Sequence, residues 1–435
     1  MRYLQFDSVL LFTLVIPFVM TVRLSPGETP YLLFTVIFFL LLYSLVVDLF
    51  SPDTDKTPFF PWLKHAENIK DVLLWSVTVL VIGNAFYSAM VVRHRTAPIY
   101  DIHDIVLQQE SAIRFLLDGK NPYAVTYFGT PLEEWEYSET EINPALYHFV
   151  MQPFYLLFSL PFYAFALSTF GFFDGRMPLI ALFAVMLITA WLAVKDRMKR
   201  RLFVILLAFH PSMLLYTLEG RSDVFMYAFL LLAFYFLQKN RFTISGVAMA
   251  TAFAIKQSAW PIFPLYAGYL WYMKDKGNRG DAAYVGSFGR KFVHVARFLL
   301  PFIVTFIIIV LPFVWWDAKA FLESTVLYLS GSIDTSYPVS GYGFGMLLSE
   351  WGVIQDRFAY YPFFWWQLLF GLPVLVVSLL FLKKYPTVKT LILSYGIFLF
   401  VYWYFSRYFN NSHIAYLSMI FITAYFWEEK NHASG

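Results

Sequence analysis

Long apolar runs recur along almost the whole chain, and they constrain its fold more than any other feature. Runs long enough to approach the roughly 30 Å of hydrocarbon in a bilayer occupy residues 8–22, 30–49, 71–92, 177–194, 202–218, 223–238, 243–256, 259–273, 293–315, 363–382, 387–405 and 412–427. At that depth no water is present to satisfy backbone N–H and C=O groups, so such runs must be helices. The expected fold class is all-α: a polytopic transmembrane helical bundle of about twelve spans with re-entrant or juxtamembrane helices, forming one integral membrane domain over residues 1–435. Composition agrees, because 59% hydrophobic and 14% charged residues leave too little polar surface to coat a water-soluble globule. A net charge of +3 without a basic stripe sets a nucleic-acid partner aside. The absence of cysteine excludes disulfides, thiolate metal sites and thiol nucleophiles together.

The first run ends at Arg23-Leu24-Ser25-Pro26-Gly27-Glu28 without a small-residue cleavage site, and another apolar run follows at once. It reads as a retained span rather than a signal peptide. Orientation follows from Lys and Arg in short loops. The cluster Lys195, Arg197, Lys199, Arg200 and Arg201, the pair Lys239 and Arg241, the stretch from Lys274 to Lys291, and the pair Lys383 and Lys384 all fall on one side when the spans alternate. Parity carries Lys56, Lys64 and Lys70 to the same side, which is read as cytoplasmic together with both termini. The segment 143–173 is apolar but broken by Pro144, Pro153 and Pro161, and it is too short for two full crossings. Parity favours a re-entrant pair there over one tilted span. That makes 93–173 an outer loop with juxtamembrane helices and 316–361 a second large outer loop.

The polar residues then gather at the outer, non-cytoplasmic face, where residues at span ends are functional candidates by default. The first group is Tyr100-Asp101-Ile102-His103-Asp104. Asp104 opens an amphipathic stretch with Ile105, Val106, Ala112, Ile113, Leu116 and Leu117 on one face and Gln108, Gln109, Arg114 and Asp118 on the other. It ends at Gly119-Lys120-Asn121-Pro122-Tyr123 and is expected to lie along the membrane surface. The other groups are His210-Pro211 through Glu219-Gly220-Arg221-Ser222-Asp223, then Lys256-Gln257, then the loop from Lys319 to Asp356, and finally Arg407 through His413. Any one of these residues alone is more simply a loop or snorkelling side chain. Asp223, in a short turn between two spans beside Glu219 and Arg221, is the hardest to dismiss.

These motifs, in this order, resemble the lipid-linked-sugar-dependent glycosyltransferases of the GT-C fold, most closely the bacterial polyprenyl-phosphate-mannose-dependent mannosyltransferases. The resemblance rests on four features. They are Asp104 and its helix before Gly119-Lys120-Asn121-Pro122-Tyr123, Gly175-Arg176-Met177-Pro178 before a basic loop, Pro211 before Gly220-Arg221-Ser222-Asp223, and Ser245-Gly246-Val247-Ala248 before Ala254-Ile255-Lys256-Gln257. It covers roughly residues 70–270. Asn143-Pro144-Ala145-Leu146-Tyr147 departs from the Tyr-Pro-Pro often found there, and two spans precede the Asp104 loop in addition to the minimal core.

The resemblance implies inverting transfer of a sugar, by default mannose, from a polyprenyl-phosphate donor to a hydroxyl of a glycan or glycolipid acceptor at the non-cytoplasmic face of a cell membrane, without a metal or other cofactor. It makes Asp104 the general base. Asp101, three residues away, is the alternative. Lys256, Arg221 and Arg407 are the candidates for the donor phosphate, because a charge-assisted contact is worth more at the interface than in water. Glu219, Asp223, His103, Gln257, Asn410 and His413 are the candidates for orienting substrate. A secondary transporter or lipid flippase shares the span count, although transporter sites lie near the midplane on interrupted helices in repeated halves. A non-enzymatic lipid-binding scaffold would leave the outer loops merely solvated.

Overall fold

The computed structural model describes residues 4–22, 31–50, 64–96, 99, 101–273 and 288–428; it is 74% helix, with long, largely irregular stretches over 118–152 and 331–362 and almost no strand. Lys56, Tyr100, the Arg23–Glu28 turn and most of the basic stretch from Lys274 to Lys291 lie outside the described residues. Among those described, five helices are long and apolar enough to cross a membrane: Ala66–Thr96, Pro153–Phe170, Arg176–Ala193, Lys291–Trp316 and Phe363–Lys384. Phe6–Thr21, Asp223–Gln238, Phe242–Phe253 and Val388–Tyr404 are apolar but shorter.

Several expected spans are interrupted for reasons visible in the sequence. The run 202–218 is two helices, Arg197–Ala208 and Met213–Leu218, because Pro211 has no N–H to continue the ladder and His210 Nδ1 instead accepts the Met213 N–H at 3.1 Å. The run 259–273 starts as a tight turn of 3₁₀ helix, Gln257–Ile262, with Pro261 inside it, and becomes α-helical only over Phe263–Tyr272. Phe242–Phe253, with twelve residues at 1.5 Å each, is about 18 Å long, whereas the neighbouring Phe288–Trp316 reaches about 43 Å.

Segment 143–173 is not a re-entrant pair. It is a short 3₁₀ turn, Pro144–Leu146, followed by one helix, Pro153–Phe170, with Pro153 at its first position, where no N–H is missed, and Pro161 inside it. Long enough to span, it nevertheless has both ends tied to the same end of the bundle. Gln152 and Phe154 donate to the carbonyls of Ile255 and Ala254, beside Lys256, at 3.0 and 2.8 Å. Just beyond its other end, Asp174 pairs with Arg93 at 3.0 Å. The helix therefore lies across that end, leaving Phe165, Leu167 and Phe170 outward and exposed.

Asp104–Leu117 is a helix, but it does not float on a surface with its polar face outward. Gln108, Gln109, Glu110 and Ser111 are as buried as Ile105, Val106, Ala112 and Ile113. Gln108 Nε2 donates to the carbonyls of Ala145 and His148, and Gln109 Nε2 donates to Ser159 Oγ at 2.7 Å, so the polar face is spent on protein.

At the opposite end of the bundle a buried ion cluster joins the N-terminal helices to the rest. Lys70 Nζ lies 2.8 Å from Asp7 and 2.9 Å from Asp48, the Tyr43 hydroxyl donates to Asp7 at 3.0 Å, and Arg201 pairs with Asp7 and Glu67. Lys70 and Arg201 are thus neutralised inside the protein and are not the free loop cations that the orientation argument takes them for. Lys195, Lys199 and Arg197 remain at the surface near Glu428 and Asn68.

Candidate functional site

The end opposite that ion cluster holds a cavity of about 1150 Å³ into which segments far apart in sequence converge. Its floor is set low because the helices beneath it are short. Phe242–Phe253 is short beside Phe288–Trp316, and Lys256 follows it in an extended conformation. Asp223 opens the adjacent helix Asp223–Gln238, is 2% exposed, and receives Lys256 Nζ at 2.7 Å. A carboxylate at a helix N-terminus is favoured by the helix dipole, and the ammonium compensates its burial. Arg221 lies over the Tyr216 ring at 4.3 Å, pairs with Glu219 through Nε at 3.0 Å and reaches Asn411 Oδ1 through Nη1 at 3.4 Å, where it lines the cavity.

Asp104 enters from the other side at the first turn of its helix, with His103 as the preceding cap residue. His103 Nδ1 stands 2.6 Å from the Asp104 carboxylate. Burial pushes the Asp104 carboxyl up, but the imidazole's charge and hydrogen bond, the Ile105 N–H and the Asn143 amide outweigh it and hold the group below the usual carboxylate range. An ionised carboxylate lining a pocket can accept a hydrogen bond from a hydroxyl and take its proton. Trp135, Tyr137, Tyr328, Tyr337 and Tyr408 form the wall above it, and burial pushes the Tyr137 phenol up to about 12, so it stays a donor. Between the segment 257–272 and the helices Phe363–Lys384 and Val388–Tyr404 the cavity continues as an aromatic arm lined by Trp260, Pro264, Phe364, Phe398 and Tyr402. Those residues extend it by about one helical turn, some 6 Å, into the bundle.

Of the residues singled out in the sequence, Asp104, His103, Arg221, Asp223, Lys256, Gln257, Arg407, Asn410 and His413 all line this one cavity. Asp101 does not. It is exposed in a left-handed turn, φ 56°, three residues before the helix starts. Glu219 also stays outside the lining, pairing Arg221 while its carbonyl accepts the His103 N–H at 2.7 Å. Four of the lining residues have architectural duties. Arg407 donates to the carbonyls of Tyr337, Arg357, Phe358 and Ala359 at 2.5 to 2.9 Å, which fastens the loop between residues 331 and 361 and leaves little of its guanidinium for a phosphate. Gln257 Nε2 stitches the carbonyls of Val150 and Thr325, both at 2.8 Å. Asn410 and His413 form a reciprocal capping box at the start of the helix Asn411–Phe426.

Sequence reasoning missed Trp135 and Tyr137, because nothing in Leu132 to Ser138 distinguishes them from a solvated loop. It also missed the contacts that close the roof. Arg357 binds Glu141 at 2.8 and 2.9 Å, His148 Nε2 lies 2.7 Å from Thr335 Oγ1, and Ser340–Gly341 pairs in parallel with Tyr408–Phe409. Among the described residues no group of three or more His, Asp or Glu side chains comes together as a metal ion would require. No protein-family model matches the chain, and no curated protein matches it.

Proposed function

We propose that this chain is an integral membrane glycosyltransferase that moves a sugar from a polyprenyl-phosphate donor to an acceptor hydroxyl. The observation that carries this reading is the convergence of Asp104 with the Asp223–Lys256 pair and Arg221 in one cavity whose aromatic arm runs down between helices. The GT-C-like order of the motifs supports it, and so does the shape: a polar chamber above and an apolar arm below suit an amphiphile whose phosphate sits where the two meet. The bundle of about twelve spans, with both termini cytoplasmic and the cavity on the non-cytoplasmic side, belongs to the same reading.

In this mechanism Asp104 takes the proton of the acceptor hydroxyl as its oxygen attacks the anomeric carbon from the face opposite the phosphate. The bond from that carbon to the phosphate oxygen breaks, and its electron pair leaves with the prenyl phosphate. Lys256 and Arg221 stabilise the departing phosphate, and their cationic groups matter most at that moment, when charge develops on the leaving oxygen. Inversion at the anomeric carbon follows from attack on the opposite face. Asp223 keeps Lys256 aimed, and the Tyr and Trp wall offers flat apolar faces for a sugar ring.

The test is incubation of the purified protein in detergent or nanodiscs with a panel of prenyl-phosphate sugars and simple glycoside acceptors, with released prenyl phosphate measured by mass. Turnover with at least one donor, abolished by Asp104→Asn, is the expected result. Absence of turnover with every donor would overturn the assignment and favour the transporter reading.

A further inference from the structure

Behind Asp104, Glu110 of the same helix joins three buried charged side chains from two other segments. Arg93, near the end of Ala66–Thr96, reaches Glu110 through both terminal nitrogens at 2.7 and 2.9 Å and Asp174 through one at 3.0 Å. Asp174 receives Nε and Nη2 of Arg176 at 2.9 and 2.8 Å, and Arg176 Nη1 donates to the Leu218 carbonyl at 3.0 Å. Glu110 also accepts the Gly175 N–H at 3.0 Å. The four side chains are between 1 and 8% exposed and sum to zero charge. The chain of bonds therefore runs from the helix of Asp104 to the turn that carries Arg221 and Asp223.

Close packing reinforces the same link. A Cβ at Gly175 would collide with Gln109 Oε1 and lie 2.8 Å from Val106 Cγ1, and one at Gly220 would collide with Val106 Cγ2 and lie 3.2 Å from Arg176 Cγ. The Asp104 helix thus rests directly against backbone at the head of Arg176–Ala193 and against backbone in the turn before Asp223, while the His103 N–H bonds to Glu219. A buried ion cluster is by default a staple of the fold. This one differs because its bonds, both glycines and the His103 contact all anchor the Asp104 helix to the segments beside it, and three of them end at the turn that leads to Asp223.

We propose that Arg93, Glu110, Asp174 and Arg176 are positioning residues that fix the placement of Asp104 relative to the Asp223–Lys256 pair. The inference rests on the reading of Asp104 as the base. None of the four is among the residues that line the cavity; they act by placing the Asp104 helix, which carries the base and no donor-phosphate ligand, so turnover rather than donor binding should respond.

Two variants probe it by different physics. Glu110→Gln keeps an acceptor for Gly175 and Arg93 but removes the charge. Gly175→Ala leaves every charge in place, is compatible with the local φ of −61°, and pushes on the helix through Val106 and Gln109. A shift of the order of 1 Å in a reacting group costs about 100-fold, so each variant should lower kcat by about 10- to 100-fold with the KM for the prenyl-phosphate sugar within about twofold of the parent. Because the chain has no cysteine, cysteines placed at the exposed Asp118 and Leu215 can be spin-labelled uniquely. The label-to-label distance in nanodiscs should shift or broaden in both variants. If Glu110→Gln unfolds, Gly175→Ala carries the test alone. Unchanged distances, changed distances with unchanged kcat, or a raised KM with kcat intact would each overturn the proposal. Failure of the base assignment looks different: Asp104→Asn keeps turnover while its label distances stay at the parent value.

Discussion

Lys256 has two tasks in this reading, as counter-ion to Asp223 and as ligand to the donor phosphate, and a double substitution separates them. At 2.7 Å the Coulomb attraction between the two groups is about 6 kcal/mol for an effective dielectric near 20. Desolvation of the Asp223 carboxylate, whose side chain is 3% exposed, cancels much of that. Removing the ammonium alone leaves the carboxylate uncompensated, and breaking a buried pair in that way costs about 3–5 kcal/mol. Lys256→Met should therefore lower thermal stability clearly. Adding Asp223→Asn removes the stranded charge and should bring stability back to within about 1 kcal/mol of the parent, by the same reasoning. Activity should not return with it. Loss of one donor aimed at charge developing in the transition state costs about 100- to 1000-fold in kcat, and the neutral amide that replaces the Asp223 carboxylate supplies no cation. The assays are scanning unfolding at a fixed detergent-to-lipid ratio and release of prenyl phosphate. Recovery of activity in the double variant together with its stability would show that Lys256 is only a counter-ion, and the phosphate assignment would fall.

Other perturbations give equally specific outcomes. His103→Ala removes the main influence holding the Asp104 carboxyl down, so its pKa should rise and the acidic limb of the kcat/KM profile should move to higher pH, whereas an unmoved limb refutes the coupling. The sign is fixed by the direction of the shift: a depressed carboxyl stays ionised as pH falls, and activity is lost only on passing its own pKa. Lys70→Met takes from Asp48 its ion-pair partner and leaves Asp7 to Arg201 and Tyr43, and it should destabilise the fold by about 3 kcal/mol while leaving the KM for donor unchanged; a loss under about 1 kcal/mol in a denaturation series contradicts the burial. Arg407→Lys cannot bridge four carbonyls with one ammonium, so limited proteolysis should cut the 331–361 loop faster than in the parent. Equal cleavage rates would show that the loop is held elsewhere.

What could be read from the sequence was set by the range of the interaction concerned. Asp104 at the head of a helix and Asp223 in a turn are local events, written in the switch from polar to periodic apolar residues, and both motifs do meet in the cavity. The orientation of the 143–173 segment was not legible, because length and apolarity describe a helix that lies across the bundle as well as one that traverses it. Only the bonds from Gln152 and Phe154 to Ile255 and Ala254, a hundred residues away, distinguish the two. Glu110 was illegible for a related reason. On a helical wheel it belongs to the polar face that water would solvate, and nothing nearby announces that Arg93 and Gly175 take the place of water.

Charge type in the sequence is therefore a poor guide to which polar residues are free to do chemistry, and the count of occupied N–H groups is a better one. Arg407 and Gln257 sit in motifs next to the cavity and line it, yet their donors end on backbone carbonyls. A buried N–H already bonded to a carbonyl would have to give up that bond to hold a ligand, and the orphaned carbonyl would cost about 1–3 kcal/mol. Lys256 has a single carboxylate partner and two further N–H groups at the edge of an aromatic cavity, so it can hold a phosphate without surrendering anything. Arg221 stands between the two cases, with Nε on Glu219, Nη1 at 3.4 Å from Asn411 Oδ1 and no backbone carbonyl to surrender. Ranked by that criterion, Lys256 comes first for the donor phosphate, Arg221 second and Arg407 last. Substituting them in turn should weaken donor binding in that same order.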